Sequence, residues 1–517
     1  MNALAQLYDQ GSSWLSQQLF AQKLNNPLGF LICMTLSAIL ATAVGMLGIK
    51  YGALVLIALL AIPAILVCIF NPMFGIQIAL VTSVLISWLA KYAEAPFGIA
   101  LDALTFVMFF GLLINQARNR DLSFAKSPIS IYVFVWVFYN VVQVLNPSAG
   151  SRLAWVFTVR SMAGLVLLYF IACYAFDNRK KVFWIIKFIL FLAFASAMYG
   201  LKQEFFGFSS AEITWLYADE KRLQLIMQWS RLRVFSFFSD PTTFGIFMAY
   251  MGTFSLILAT GPFKFWKRLF LVFAAFCMFL GMAFAGSRTP FVLVPFGFMI
   301  FTLLTLKKEI IIGAAIFLVI GVAFVSKSTN SAVIHRIQSA FLTSRSDDTM
   351  SVREKNRHFI QPYIYRHPVG YGLGSTGIWA ERFTPDSFLA GFAHDSGFVR
   401  VAVELGWIGL IIQLLFFFSI LRTGIYYYVR VRDPKNKVIY LAITVVMFQL
   451  ILSSYPQEAV TILPTSLVFY CFLAILVRLK DYDSVITEHQ AKQLESKNPI
   501  AEELRIAEER RKNWLSA

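Results

Sequence analysis

The sequence predicts an all-α polytopic integral membrane protein. Three observations carry that reading. Of 517 residues, 58% are hydrophobic and 14% are charged, with Phe alone contributing 52. Apolar runs recur that match the roughly 20 residues a bilayer-crossing helix needs. The Lys and Arg residues gather in short loops between alternate runs, as topology signals do.

The elements follow in order. Residues 1–28 form a polar, weakly amphipathic arm, predicted as an interfacial helix on the cytoplasmic side. The arm has no small-residue cleavage site, so no cleavable signal peptide is expected. Candidate spans lie near 29–48, 51–70, 73–92, 98–116, 128–145, 153–175, 182–202, 241–260, 267–286, 289–306, 309–326, 396–421, 437–454 and 460–479. Pro63, Pro72 and Pro96 blur the first four boundaries, which gives about 12–14 helices. The blocks are an N-terminal helical region at 29–202, a core at 203–422 and a C-terminal helical region at 423–479. The remainder, 480–517, is a mixed-charge tail that reads as a solvated extension.

Orientation comes from the loops. "NQARNRDLSFAK", "DNRKK", "GPFKFWKR", "TLKKE" and "RTGIYYYVRVRDPKNK" are basic and fall on one side, which puts both termini in the cytoplasm. Two large loops, 203–240 and 327–395, are then exterior. Cys33, Cys68, Cys173, Cys277 and Cys471 all lie inside apolar runs and read as packing residues.

The net charge of +17 would suit nucleic acid, but the positions of the charges argue against that partner. Four of the five histidines (His335, His358, His367 and His394) fall in the loop 327–395, with Arg336, Arg345, Arg353, Arg357 and Arg366. The other large loop adds Lys221, Arg222, Arg231 and Arg233. Long loops translocate regardless of charge, so topology does not explain these residues. Two explanations stand at this point: an anionic phosphate substrate, which Arg forks suit, or anionic lipid headgroups.

Individual residues narrow the search. Arg288 lies at the outer end of a helix, with a tight turn before the next. Arg160 lies about two turns inside its span, where an ionisable group faces a wet cavity, snorkels or pairs with a buried acid. In "GFAHDSGFVRVAVELGWIGL", Asp395 or Ser396 can cap a helix on which Arg400 and Glu404, four apart, share a face. His394 just ahead of it is either an ordinary polar loop residue or a base suited to neutral pH.

Four stretches in order, "RVFSFFSDPTTFGIFMAY", "AGSRTPFVLVPFG", "SVREKNRHFIQPYIYRHPVGYGLGSTG" and "AHDSGFVRVAVELGWIGL", resemble motifs of the O-antigen ligase and O-antigen polymerase superfamily of bacterial membrane glycosyltransferases. The resemblance covers about residues 231–420. It implies a GT-C-like fold with two periplasmic loops and an active site at the periplasmic face of the inner membrane. It implies inverting, metal-independent transfer, without a cofactor, from a polyprenyl-diphosphate-linked glycan to a hydroxyl of a glycan or lipid A core acceptor. Membrane lipid and other envelope polysaccharide assembly proteins are the further partners. By position, His394 matches the catalytic histidine and Arg288 the arginine on the diphosphate. Arg233, Arg353 and Arg160 match further arginines, while Asp395 stands where Asn is common. Asp395, Glu404 and Arg400 are supporting residues.

The competing reading is a transporter or flippase of an anionic lipid-linked glycan. That class favours ionisable groups near the midplane and matching broken helices in two halves. Here the charges concentrate at the exterior end.

Overall fold

The computed structural model describes residues 67–92, 97–120, 122–228, 231–313, 348–392 and 396–483, with isolated positions between 30 and 65. The expected spans at 29–48 and 51–70, most of 309–326 and the tail beyond 483 lie largely or wholly outside the described residues. Among these residues the protein is helical throughout, apart from an antiparallel hairpin of two-residue strands, β1 (Met227–Gln228) and β2 (Arg231–Leu232). Among the described residues, ten helices are long and apolar enough to cross a membrane. This is an all-α polytopic membrane protein.

The chain order is α1 (Pro72–Leu89), α2 (Phe97–Asn119), α3 (Pro128–Val142), α4 (Arg152–Val159), α5 (Leu167–Ala175), α6 (Arg179–Phe206), α7 (Ser210–Tyr217), α8 (Glu220–Ile226), α9 (Pro241–Ala259), α10 (Phe265–Ala285), α11 (Arg288–Thr305), α12 (Asp348–Arg366), α13 (Gly377–Phe383), α14 (Gly397–Glu404), α15 (Gly406–Arg430), α16 (Pro434–Ser453) and α17 (Thr465–Arg478). Two compact units are present: residues 1–75 with 106–122, and residues 76–105 with 123–517. In the first, Gly111 lies against the Ile69 backbone and Gly75 against Met108, so that a Cβ at either would overlap its neighbour. Small residues allow that approach, as is usual between membrane helices.

The larger unit is organised around α9, which is buried over almost its whole length and packs on α6, α10, α11 and α16. Its start follows from local chemistry. Asp240 accepts from the backbone N–H groups of Thr242 and Thr243, and Pro241 takes the first helical position. Polar links inside the bundle join its helices. Gln449 donates to Thr253 Oγ1 (3.1 Å) and to the Leu293 carbonyl (2.9 Å), which ties α16 to α9 and α11. Gly297 leaves the room for that amide.

The four described cysteines are buried and unbridged. Two of the basic loops meet at one end of this unit, where Arg179 pairs with Asp433 at 2.7 Å.

Three elements differ from the sequence reading, each for a local reason. The span expected at 396–421 is broken: α14 ends at Glu404, and α15 begins at Gly406 with a φ of +70° that favours glycine. The span expected at 153–175 contains a π-turn over Arg160–Gly164, beginning at the one charged residue inside it. The segments 203–240 and 327–395 were expected as loops. Their described parts carry α7 and α8, with a core of Leu216, Ile226 and Phe235, and α12 and α13, with Ile360, Leu389 and Phe392 in a second core. These helices are too short or too polar to span, so a span-length reading passes over them.

Glu212 on α7 is fully buried and satisfied: it accepts from Tyr199 OH, Gln203 Nε2 and the Ser209 backbone N–H. Nearby, Lys91 sits two residues past α1 with its Nζ 4.0 Å from the Phe235 ring centre and bonded to the Phe238 carbonyl at 3.2 Å. Burial pushes this ammonium down from 10.5 to about 7, against the pull of Glu212. Between those values the unfolded chain holds a proton that the folded chain does not. Stability therefore rises with pH across about 7 to 10 and is lost as pH falls. Replacing Lys91 with Met is expected to flatten that rise by several degrees of melting temperature. Melting curves from pH 6 to 10 check it, and an unchanged slope in the variant would refute it.

Candidate active site

Glycine places the first part of the site. Gly370, Gly372, Gly374 and Gly377 all have positive φ. A Cβ on Gly374 would lie 2.6 Å from Thr158 Oγ1 and 2.7 Å from the Ala154 carbonyl, and one on Gly372 would lie 2.6 Å from Ala149 Cβ. The run 370–377 thus rests directly on α4 and the turn before it. Gly370 and Gly406 are in backbone contact, and the amides of Tyr371 and Gly372 donate to the carbonyls of Val403 and Glu404. These glycines bring backbone into close approach rather than forming a loose turn.

An ionic network ties the same segment to the helix that follows His394. Arg400 pairs with Glu404 at 3.3 Å and with Glu458 at 2.7 Å. Glu404 is fully buried and also accepts from Thr376 Oγ1 at 2.6 Å. Ser396 caps α14 by accepting from the Val399 N–H, and its hydroxyl lies 3.4 Å from the Ser454 carbonyl. Three chain segments, around 376, 396–404 and 454–461, are therefore held together two residues beyond His394. His394 and Asp395 themselves lie outside the described residues.

A second grouping forms at the turn between α10 and α11. Gly286 takes the left-handed conformation and Arg288 opens α11. Arg233 reaches the same turn, donating through Nε to the Ala285 carbonyl at 3.0 Å and through Nη1 to the Leu225 carbonyl at 3.3 Å. The Gln449–Leu293 bond lies within two turns of both Arg288 and Ser454, so this turn and the ionic network lie at one end of the unit.

Arg353 is on α12, and its side chain is outside the described residues. Arg160 forms an ion pair with Asp102, Nε to Oδ2 at 2.8 Å, so its depth is met by pairing with a half-buried acid.

Three partners were missed by reading the sequence: Asp102, Glu458 and Thr376. Asp102 had a signal, a lone carboxylate in "GIALDALTFV". Glu458 in "SYPQEA" and Thr376 in "GLGSTG" carry no local mark, because their partners lie 58 and 28 positions away. His367, one of the loop histidines, is accounted for by structure: its Nδ1 lies 3.0 Å from the Tyr363 carbonyl, and its ring packs on Tyr371.

Residues 273–414 match the family model described as O-antigen ligase. No curated protein matches the chain. The matched stretch includes Arg288, Arg353, the Gly-rich run, His394, Arg400 and Glu404, while Arg233, Arg160 and Glu458 lie outside it. Ten membrane-length helices among the described residues and this segment together set the class: the chain is a multi-pass membrane protein whose residues 273–414 are similar to the O-antigen ligase family.

Proposed function

We propose that the protein is an envelope glycosyltransferase, an O-antigen or exopolysaccharide polymerase or an O-antigen ligase. It moves a glycan from a polyprenyl-diphosphate donor to an acceptor hydroxyl at the periplasmic face of the inner membrane. The observation that supports it best is the grouping at one end of the bundle. The Arg233–Arg288 turn is there, and so is the braced start of α14, which follows His394.

The chemistry is an inverting displacement without a metal. A neutral His394 accepts the acceptor's hydroxyl proton as the oxygen attacks the anomeric carbon. The bond from that carbon to the diphosphate oxygen breaks, and the lipid diphosphate leaves with the electron pair. Arg288, Arg233 and Arg353 stabilise the negative charge as it grows. Asp102 engages Nε of Arg160, which leaves the terminal nitrogens of that guanidinium to reach a phosphate oxygen. Diphosphate is already a good leaving group, so no general acid is required.

The test is a transfer assay in proteoliposomes with EDTA present. The donor is a polyprenyl-diphosphate oligosaccharide, alone or with a lipid A core acceptor. A product ladder from donor alone marks a polymerase. Single transfer that requires the core acceptor marks a ligase. Folded protein that turns over no lipid-linked donor in either arm would overturn the proposal and favour transport.

A further inference from the structure

A small cleft of about 70 Å³ lies between the turn that precedes α4 and the segment 371–389. That is room for a few water-sized groups, the scale of one sugar ring rather than of a chain. Six hydroxyl-bearing side chains line it: Ser148, Ser151, Tyr371, Ser375, Thr384 and Ser387. Among the described residues, no charged side chain lines it. The Ser375 hydroxyl, buried in the wall, has no hydrogen-bond partner among the described residues. Ala149, Ala154, Leu373 and Leu389 supply its apolar part.

These features select a ligand chemistry. A neutral wall gives a diphosphate nothing to pair with. A wall of hydroxyls is a poor host for a polyprenyl tail, because the displaced water leaves polar groups unpaired. Sugar hydroxyls are the complement: each serine, threonine or tyrosine hydroxyl both donates and accepts, as does each hydroxyl on a pyranose. The apolar side chains between them suit the C–H faces of a sugar.

The cleft is also coupled to the candidate site. Gly374 and Ser375 in its wall immediately precede Thr376, which bonds Glu404 on α14.

We propose that this cleft is a carbohydrate subsite that holds a neutral sugar unit of the glycan, apart from the arginines assigned to the diphosphate. It rests on the glycosyltransferase reading for the identity of that glycan, which belongs either to the donor or to the acceptor.

The test uses the purified full-length protein and the free, phosphate-free oligosaccharide released from the lipid-linked donor by mild acid. Saturation-transfer NMR reads binding. The variants are Ser148→Trp and Ser387→Trp, which fill the cleft, with Ser148→Thr as the conservative control and Arg288→Ala as the diphosphate control. Ser148 is exposed and its side chain caps no helix, so its replacement tests occupancy rather than folding, and melting curves verify this.

Expected is saccharide binding by wild type, Ser148→Thr and Arg288→Ala, weakened about tenfold or more in both Trp variants, equivalent to about 1.4 kcal/mol. In the transfer assay the Trp variants then raise KM for the donor if the donor glycan occupies the cleft, or for the acceptor if the acceptor does, with kcat largely kept. Equal binding by wild type and both Trp variants, or no binding by wild type, would overturn the subsite. Turnover by wild type with no effect of either Trp variant removes the subsite and leaves the transferase reading standing. Cleft-dependent binding in a protein that turns over no lipid-linked donor does the reverse.

Discussion

Replacing His394 with alanine is expected to lower kcat for glycan transfer by about 10²–10⁴-fold, the usual range for a positioned general base. KM for the donor and the melting temperature should move little, because the residue acts on the acceptor proton and the fold around it is braced elsewhere. The bracing is explicit: Ser396 caps α14, and Arg400, Glu404 and Glu458 hold that helix to its neighbours. Replacing Arg288 with alanine should cost about 10²–10³-fold in kcat, as removal of one preorganised donor does. Arg288→Lys should recover only part of it, since an ammonium lacks the planar fork that meets two phosphate oxygens. Initial rates in proteoliposomes, with the pH profile of kcat, read both. A His394→Ala protein that turns over at the wild-type rate would remove the base from the mechanism.

The second large effect is expected at Glu404. Its carboxylate is fully buried, accepts from Thr376 and pairs with Arg400. Removing one member of a buried ion pair leaves the other charge undercompensated, at a cost of about 3–5 kcal/mol. Glu404→Ala should therefore destabilise the protein by that order, visible as a lower melting temperature in detergent. Arg400→Ala should do the same. The double variant should fall short of the sum by about 0.5–3 kcal/mol, because the two residues share one interaction. Transfer activity should fall with both, since the network holds α14 and the segment carrying Thr376 together. A Glu404→Ala protein within about 0.5 kcal/mol of wild type would show that the pair is dispensable.

The membrane helices were legible because span length and apolar composition are local properties. Gln449 and Thr253 lay inside legible spans, yet the bond between them was invisible, since pairing depends on which helices become neighbours. The candidate arginines could be named from the sequence: Arg288 from its helix end, Arg160 from its depth in a span, Arg233 and Arg353 from the motifs. Their partners could not: Arg233 meets the carbonyl of Ala285, 52 positions on, and Arg160 meets Asp102 from another helix. The helices in 203–240 and 348–392 escaped notice because a solvent-side helix of seven or eight residues, such as α7, α8 or α13, has no span signature.

By itself, the sequence determined the class of the protein. Enough apolar residues in runs of bilayer length leave no other place for them than lipid, and the motifs at 231–420 marked the family segment. It also supplied the glycines whose absent side chains allow the backbone at 370–377 to rest on α4. Only the tertiary structure decided what those glycines bring together: a hydroxyl-lined cleft, the Thr376–Glu404–Arg400–Glu458 chain and the meeting of Arg233 with the turn before Arg288. The physical reason is range. Hydrophobic burial acts on each segment in its own right, whereas hydrogen bonds and ion pairs form within about 3 Å between groups whose separation along the chain carries no information about their distance in space.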